Sequence, residues 1–278
     1  SLDEQGIVNA VVKDNTCNPT ASKCFEAALK RASHNAVRNM ITHGADVNQD
    51  LSEDSKFPRW PLFVALAGVD EGSSLADTCK VVDLLLQHQA NINCIDGYGR
   101  NALIYCIEHL EYYRLIAPHI VRQYEKNKKA SETFMGIAKH LIDKGIDLGY
   151  KHIVHRCAFT CAVCTNNVDI AKLIIEKDPG NVNVDDWADN DECPIIVKAA
   201  DLGSFDIVNL LLSKGAKVNA TNKHGENALT CATRRNHCDI VSLLLEHGAK
   251  TPEGDSAMYN DARERLETFQ PSPEEECS

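Results

Sequence analysis

The chain has 278 residues, is 44% hydrophobic and carries a formal net charge of −11, a composition that supports a sizeable buried core. The acidic balance opposes phosphate backbones, whose binding rests on clustered Lys and Arg, so no nucleic-acid partner is expected. The longest unbroken apolar runs, such as Leu84-Leu85-Leu86, fall far short of the roughly 18 to 20 residues that span a bilayer, so no membrane insertion is expected.

The chain opens at Ser1 with no charged-then-apolar leader, as expected of a processed protein or of a piece of a longer one. Residues 1–19 read as an N-terminal capping segment. From about residue 20 a two-part unit recurs. Phe25-Glu-Ala-Ala28 precedes a run from Ala36 through Gly44 to Asn48, and Pro61-Leu-Phe-Val-Ala65 precedes Lys80 to Asn93. Ala102 to Cys106 precedes Ile137 to Gly145, Ala158 to Ala162 precedes Val168 to Glu176, and Ile195 to Ala199 precedes Phe205 to Lys217. Ala228 to Ala232 precedes Cys238 to Lys250, which matches Phe205 to Lys217 almost residue for residue 33 positions earlier. Each run spaces its apolar residues as a helix does and most end in Gly, which stops a helix at low conformational cost. The unit is therefore helix, turn, helix, extended loop, and helices this short are stable only when stacked on neighbours.

These residues resemble the ankyrin repeat, with its Gly-x-Thr-Pro-Leu-His-x-Ala, Ile-Val-x-Leu-Leu-Leu and Gly-Ala-Asp-Val-Asn segments, over about residues 20–252. The resemblance implies an all-α ankyrin-repeat solenoid of helix-turn-helix units with extended finger loops. The units fall at about 20–50, 57–96, 97–150, 153–186, 187–222 and 223–252, and residues 253–278 form an acidic tail, partly helical or disordered. That tail holds eight acids against Arg263 and Arg265, a net −6.

The family's Thr is replaced by Asn101 and Asn227, which also cap helix N–H groups, and by Trp60, Cys157 and Pro194, which do not cap that way. The third unit carries an insertion at 109–136 that includes Tyr112, Tyr113, Arg114, Tyr124 and Lys126 to Lys129. Both its helices are expected to extend, with a break near Pro118; these aromatics either form a private binding surface or pack on each other. The loops from Asn48 to Trp60 and from Asn183 to Pro194 are about four and three residues longer than the family spacing. They bring Phe57, Arg59 and Trp60, then Asp185, Asp186 and Trp187, to the stack's edge, where each Trp either faces a partner or folds back over its repeat.

Cys157-x-x-x-Cys161-x-x-Cys164 has the spacing of a radical-enzyme iron–sulfur loop, with His152 and His155 upstream. The repeat register instead places Cys161 at the position of Cys231 in a first helix, which reads as packed thiol. No phosphate loop, nucleophile elbow or His-Glu-x-x-His occurs in the sequence, so no enzyme, metal or cofactor is expected. Asn48, Asn93, Asn183 and Asn219 end their units; their first duty is turn formation, and in proteins that resemble this one such asparagines are also hydroxylated. His34, His88, His237 and His247 are expected to face solvent.

The twelve cysteines sit mostly in apolar stretches, which reads as a reduced, intracellular protein, cytoplasmic or nuclear. The resemblance implies a monomeric, non-catalytic scaffold or adaptor that binds a protein partner through its concave face and fingers. The expected contact residues are Tyr98, Arg100, Trp187, Lys223, His224, Arg59, Tyr112 and Tyr113. Two further readings are an inhibitor-of-kappa-B-like mask of a transcription factor and the cytosolic ankyrin domain of a larger channel or signalling protein.

Overall fold

The computed structural model describes residues 19–52, 58–116, 124–152, 156–180, 182–188 and 192–250. The N-terminal segment before Pro19, Phe57, the break at Pro118, His155, the side chains of Arg114, Tyr124 and Lys126, and the acidic tail lie outside the described residues. The chain divides into two units, residues 1–153 and 154–278.

The first unit holds α1 (Pro19–Lys30), α2 (His34–Thr42), α3 (Pro61–Ala67), α4 (Leu75–Gln87), α5 (Ala102–Ile116) and α6 (Tyr124–Asp143). The second holds α7 (Ala158–Cys164), α8 (Val168–Lys177), α9 (Ile195–Asp201), α10 (Phe205–Ser213), α11 (Ala228–Arg234) and α12 (Cys238–Glu246). All regular elements among the described residues are helices, as expected, joined by hairpin-like loops that carry only isolated bridges. The apolar periodicity sets the cores. Leu29, Val37, Val81 and Leu85 are fully buried in the first unit, and Ile170, Ile174, Ile195, Ile207, Leu211, Ile240 and Leu244 in the second. The helices of the third repeat do extend, to 15 and 20 residues.

The same chain reversal ends most second helices. Gly44, Gly145, Gly215 and Gly248 have φ of 97°, 81°, 83° and 80°. The residue after each donates its N–H back to the last turn: Ala45 to Met40, Ile146 to Leu141, Ala216 to Leu211 and Ala249 to Leu244, at 2.9–3.2 Å. This is the paired-bond stop that favours glycine. In the second repeat Gln89 makes that reversal at φ 65°, with Ala90 N–H bonded to the Leu85 carbonyl at 2.9 Å. A non-glycine residue there costs about 1–2 kcal/mol, against about 0.5–1 kcal/mol for the extra freedom glycine loses on folding. Gln89 is exposed and its backbone makes the bonds. Gln89→Gly is therefore expected to raise stability by about 0.5–1 kcal/mol; a lowered urea midpoint would refute the strain argument.

Side chains at the loop bases tie one repeat to the next. Asn48 donates to the Gln89 carbonyl (3.0 Å) and accepts from Asn91 N–H (2.8 Å). Asn93 accepts from Asp147 N–H at 2.9 Å. Asn219 accepts from Lys250 N–H at 2.8 Å and donates to the Gly248 carbonyl at 3.3 Å. Asn183 does not take this place. Its carboxamide accepts locally from Asp185 N–H at 3.0 Å, as Asn91 does from Asn93, and Asp185 bonds Lys217 N–H at 2.8 Å. The register is two residues later than the sequence pattern suggested: the bridge Trp187–Pro194 matches Ile95–Asn101 and Thr221–Asn227, so that loop is one residue longer at its tip.

Candidate binding surface

In the first unit the loop from Ile95 to Asn101 is built around Asp96. Its carboxylate accepts from Tyr98 N–H (3.0 Å) and Arg100 N–H (2.9 Å), and its backbone N–H bonds the Arg100 carbonyl at 2.9 Å. Gly99 supplies the positive φ, 78°, that closes the tip. Tyr98 is left 64% exposed. Arg100 lies beneath it, 4.9 Å from the Tyr98 ring centre and 5.1 Å from that of Tyr105. Its guanidinium pairs with Asp96 at 2.6 Å and Glu108 at 2.8 Å, and its side chain is 17% exposed. Arg100 is thus a brace for the tip, where sequence alone read it as a contact residue.

The next loop reinforces this one. Tyr150 donates to the Gly99 carbonyl and His152 to the Tyr98 carbonyl, both at 2.6 Å. Tyr150 did not stand out in the sequence and His152 did so only as a conceivable metal ligand; both follow a loop base that ends in Gly149. Trp60, half-buried, donates its indole N–H to the Ile95 carbonyl at 2.7 Å, so it packs on the neighbouring loop. Arg59 pairs with Glu26, while its backbone N–H is held by Asp50 at 2.8 Å.

In the insertion, the two tyrosines part ways. Tyr112 is 57% exposed. Tyr113 stacks on Phe134 and donates its hydroxyl to Asp70 at 2.5 Å; burial and that carboxylate push its phenol well above the ordinary range. Between them and Arg100 lies His109, stacked on Tyr105 at 4.0 Å and donating from Nδ1 to the Tyr105 carbonyl at 2.9 Å. Burial holds its imidazole below the ordinary value, so the ring is neutral at pH 7. Lys128 and Lys129 are exposed on α6.

The second unit repeats the device. Asn222 accepts from His224 N–H (2.9 Å) and Glu226 N–H (3.0 Å), and Gly225 turns the tip at φ 77°. Lys223 and His224 are exposed. Trp187 is 46% exposed, with its backbone N–H on Asp186 at 3.0 Å; Asp186 itself is buried. The expected helix caps behave as read: Asn101 and Asn227 each accept from the N–H three residues on at 2.9 Å. Cys157 gains help from Thr160, whose hydroxyl accepts the Cys157 N–H at 2.9 Å. On α9, the Arg235 guanidinium holds Asp201 below the usual carboxylate range.

Among the described residues no group of three His, Cys, Asp or Glu side chains gathers as a metal site. Cys161 is buried, Cys157 and Cys164 half-buried and reduced, and His152 is taken by its bond to Tyr98. Among the histidines, His88 and His247 are exposed, but His34 and His237 are half-buried. The His237 ring lies where a side chain on Gly203 would be, which corrects the solvent-facing expectation. No described helix is long and apolar enough to cross a membrane.

Residues 128–222 and 187–255 match the family model for ankyrin repeats in three copies. The ankyrin repeat protein OPG189 of variola virus is 27% identical over 177 residues, 63% of this chain and 28% of that protein. A putative ankyrin repeat protein of Coxiella burnetii is 32% identical over 119 residues, 41% of this chain and 33% of that one; the chain thus spans a third or less of these relatives. The crystal structure of an ankyrin repeat domain from Acinetobacter baumannii superposes with a TM-score of 0.61 at 20% identity, covering 81% of this chain and 98% of that one. With the helix pairs, the paired-bond stops and the asparagine ties of both units, these matches establish residues 128–255 as repeats of the ankyrin family and the fold of the chain as an ankyrin-repeat solenoid.

Proposed function

We propose that this chain is a non-catalytic protein-binding module that reads its partner with its loop tips. The observation that carries this is the division of labour at the tips. Asp96 and Asn222 spend their side chains on the loop's own backbone. Tyr98, Trp187, Lys223 and His224 are left facing outward. A surface fixed before contact loses little freedom on binding, and exposed Tyr and Trp are the residue types that anchor interfaces. Tyr112 and Arg59, whose side chain stays 44% exposed beside Glu26, are further candidate contacts in the first unit; Arg100, Trp60 and Tyr113 act behind the surface through their internal bonds.

The test is capture from cell lysate by the intact chain beside a variant carrying Tyr98→Ala, Trp187→Ala, Lys223→Ala and His224→Ala, with circular dichroism confirming that both fold. Arg100 stays, because removing it would unbrace the tip. A protein retained by the intact chain and lost by the variant is expected, since each true anchor contributes about 2 kcal/mol or more. Equal retention by both would sink the loop-tip reading.

A further inference from the structure

We propose that His109 is a proton-responsive support of the Tyr98 loop tip: on taking up a proton in mildly acid solution it disturbs the ring stack on which Arg100 holds that tip. The inference rests on the loop-tip reading above and names its regulation. Its ground is a run of contacts from solvent to core. The Arg100 guanidinium lies 4.9 Å from the Tyr98 ring centre and 5.1 Å from that of Tyr105. His109 shares the Tyr105 ring, stacked on it at 4.0 Å, and meets Phe134 of α6 at 5.1 Å. An exposed tyrosine is thus joined, through one guanidinium and one ring, to an imidazole whose side chain is only 22% exposed.

The bonding of the imidazole leaves a proton one place to go. A carbonyl only accepts, so the 2.9 Å bond to the Tyr105 carbonyl puts hydrogen on Nδ1 and leaves the lone pair of the neutral ring on Nε2. That nitrogen faces Asp70 Oδ2, in the turn between α3 and α4, at 4.0 Å. The other oxygen of Asp70 is taken by the Tyr113 hydroxyl. Two acceptors therefore face each other beyond hydrogen-bond reach. Among the described residues the further charges acting on the ring are Arg100 and Glu108, paired with each other at 2.8 Å. From α6 it is faced by Phe134, and Phe63 of α3 meets the Tyr105 ring edge-on at 5.6 Å.

Protonation changes this set in two ways. It puts a second cation on the Tyr105 ring that already carries Arg100, and like charges so close weaken each other's hold. It also turns Nε2 into a donor toward Asp70. Closing that gap to the about 2.7–2.9 Å of a charged hydrogen bond pulls either the imidazole off Tyr105 or Asp70 off Tyr113. Burial disfavours the charged ring, so the folded chain takes up this proton at lower pH than the unfolded chain, where histidine titrates near about 6.5. The stability that the neutral ring contributes is therefore present in full above that pH and is lost as pH falls through the folded value.

The test is an NMR titration of the full chain from about pH 8 to about pH 5, the range in which histidine charges, following imidazole and tyrosine ring signals. It is run in a His152→Gln background, because His152 bonds the Tyr98 carbonyl and its own titration would move Tyr98. Expected are a His109 midpoint below about 6.5 and a Tyr98 ring signal that shifts with that same midpoint. Adding His109→Gln, whose amide can still donate to the Tyr105 carbonyl, should shrink the Tyr98 shift several-fold. A His109 midpoint at or above about 6.5, or a Tyr98 signal that stays flat through it, overturns the proposal. So does a Tyr98 shift of undiminished size after His109→Gln. Should that variant fail to fold, the two midpoints in the chain that keeps His109 still decide. No partner enters this experiment, so its failure is separate from failure of the capture assay.

Discussion

Phe134→Ala is expected to lower the stability of the first unit by about 3–5 kcal/mol, the usual cost of deleting a buried phenylalanine. Phe134 is fully buried on α6. Its ring lies 6.2 Å from Tyr105, 5.1 Å from His109 and 6.0 Å from Tyr113. Those three meet polar partners at their far edges, Arg100 and Asp70, so they cannot swing into the space without breaking those contacts. The chain holds one tryptophan in each unit, Trp60 and Trp187. In a Trp187→Phe background, urea unfolding followed by Trp60 fluorescence reports the first unit. At a typical slope of 1–3 kcal/mol/M, its midpoint should drop by about 1 M or more. A loss under about 1 kcal/mol would show that the aromatic group collapses freely and that the long third repeat is loosely packed.

That cluster also shows where sequence reading stops. The helix pairs were legible because apolar spacing reports burial directly, and the long third repeat was legible because the 109–136 stretch keeps that spacing. The partners of its polar and aromatic side chains were not. Tyr112 and Tyr113 are adjacent and chemically alike, and only the direction each takes from α5 separates the exposed ring from the one bonded to Asp70, 43 residues earlier in the chain. Arg100 looked like an interface anchor because Arg and Tyr are common there. Its carboxylate partners, Asp96 and Glu108, are four and eight residues away, and sequence spacing alone does not say which way a loop guanidinium turns.

The misplaced asparagine has a similar origin. Asn183 and Asp185 both lie in Asn-Val-Asn-Val-Asp-Asp, and either residue type makes the local turn. Pattern matching favours Asn at the loop base, yet the tie to the next repeat asks only for a side-chain oxygen in the right register, which Asp185 supplies to Lys217 N–H. The bridge at Trp187 fixes that register. The candidate surface was therefore legible as a set of loop tips, while the distinction between side chains that face out and side chains that brace them required coordinates.

Gly68→Ala is expected to destabilise the first unit by about 1–3 kcal/mol or more, although nothing in the local backbone requires glycine. Gly68 caps α3 with φ −60° and ψ −22°, ordinary right-handed helical angles where alanine normally gains about 0.4–1 kcal/mol by restricting the unfolded chain. The obstacle is a close approach. A β-carbon on Gly68 would fall 2.1 Å from the carbonyl oxygen of Lys30, at the end of α1. That oxygen belongs to the backbone and accepts the Ser73 hydroxyl at 2.8 Å, so relief requires parting α1 from the α3–α4 turn. Overpacking of this kind costs about 1–3 kcal/mol where side chains yield, and here the neighbour is main chain. Gly149→Ala is the matched control, since its β-carbon would meet only Asp147 Oδ1 at an ordinary 3.5 Å. Urea unfolding read through Trp60 should therefore separate the two variants in sign or in size. If Gly68→Ala proves as benign as Gly149→Ala, the first and second repeats do not approach as closely as this structure has them.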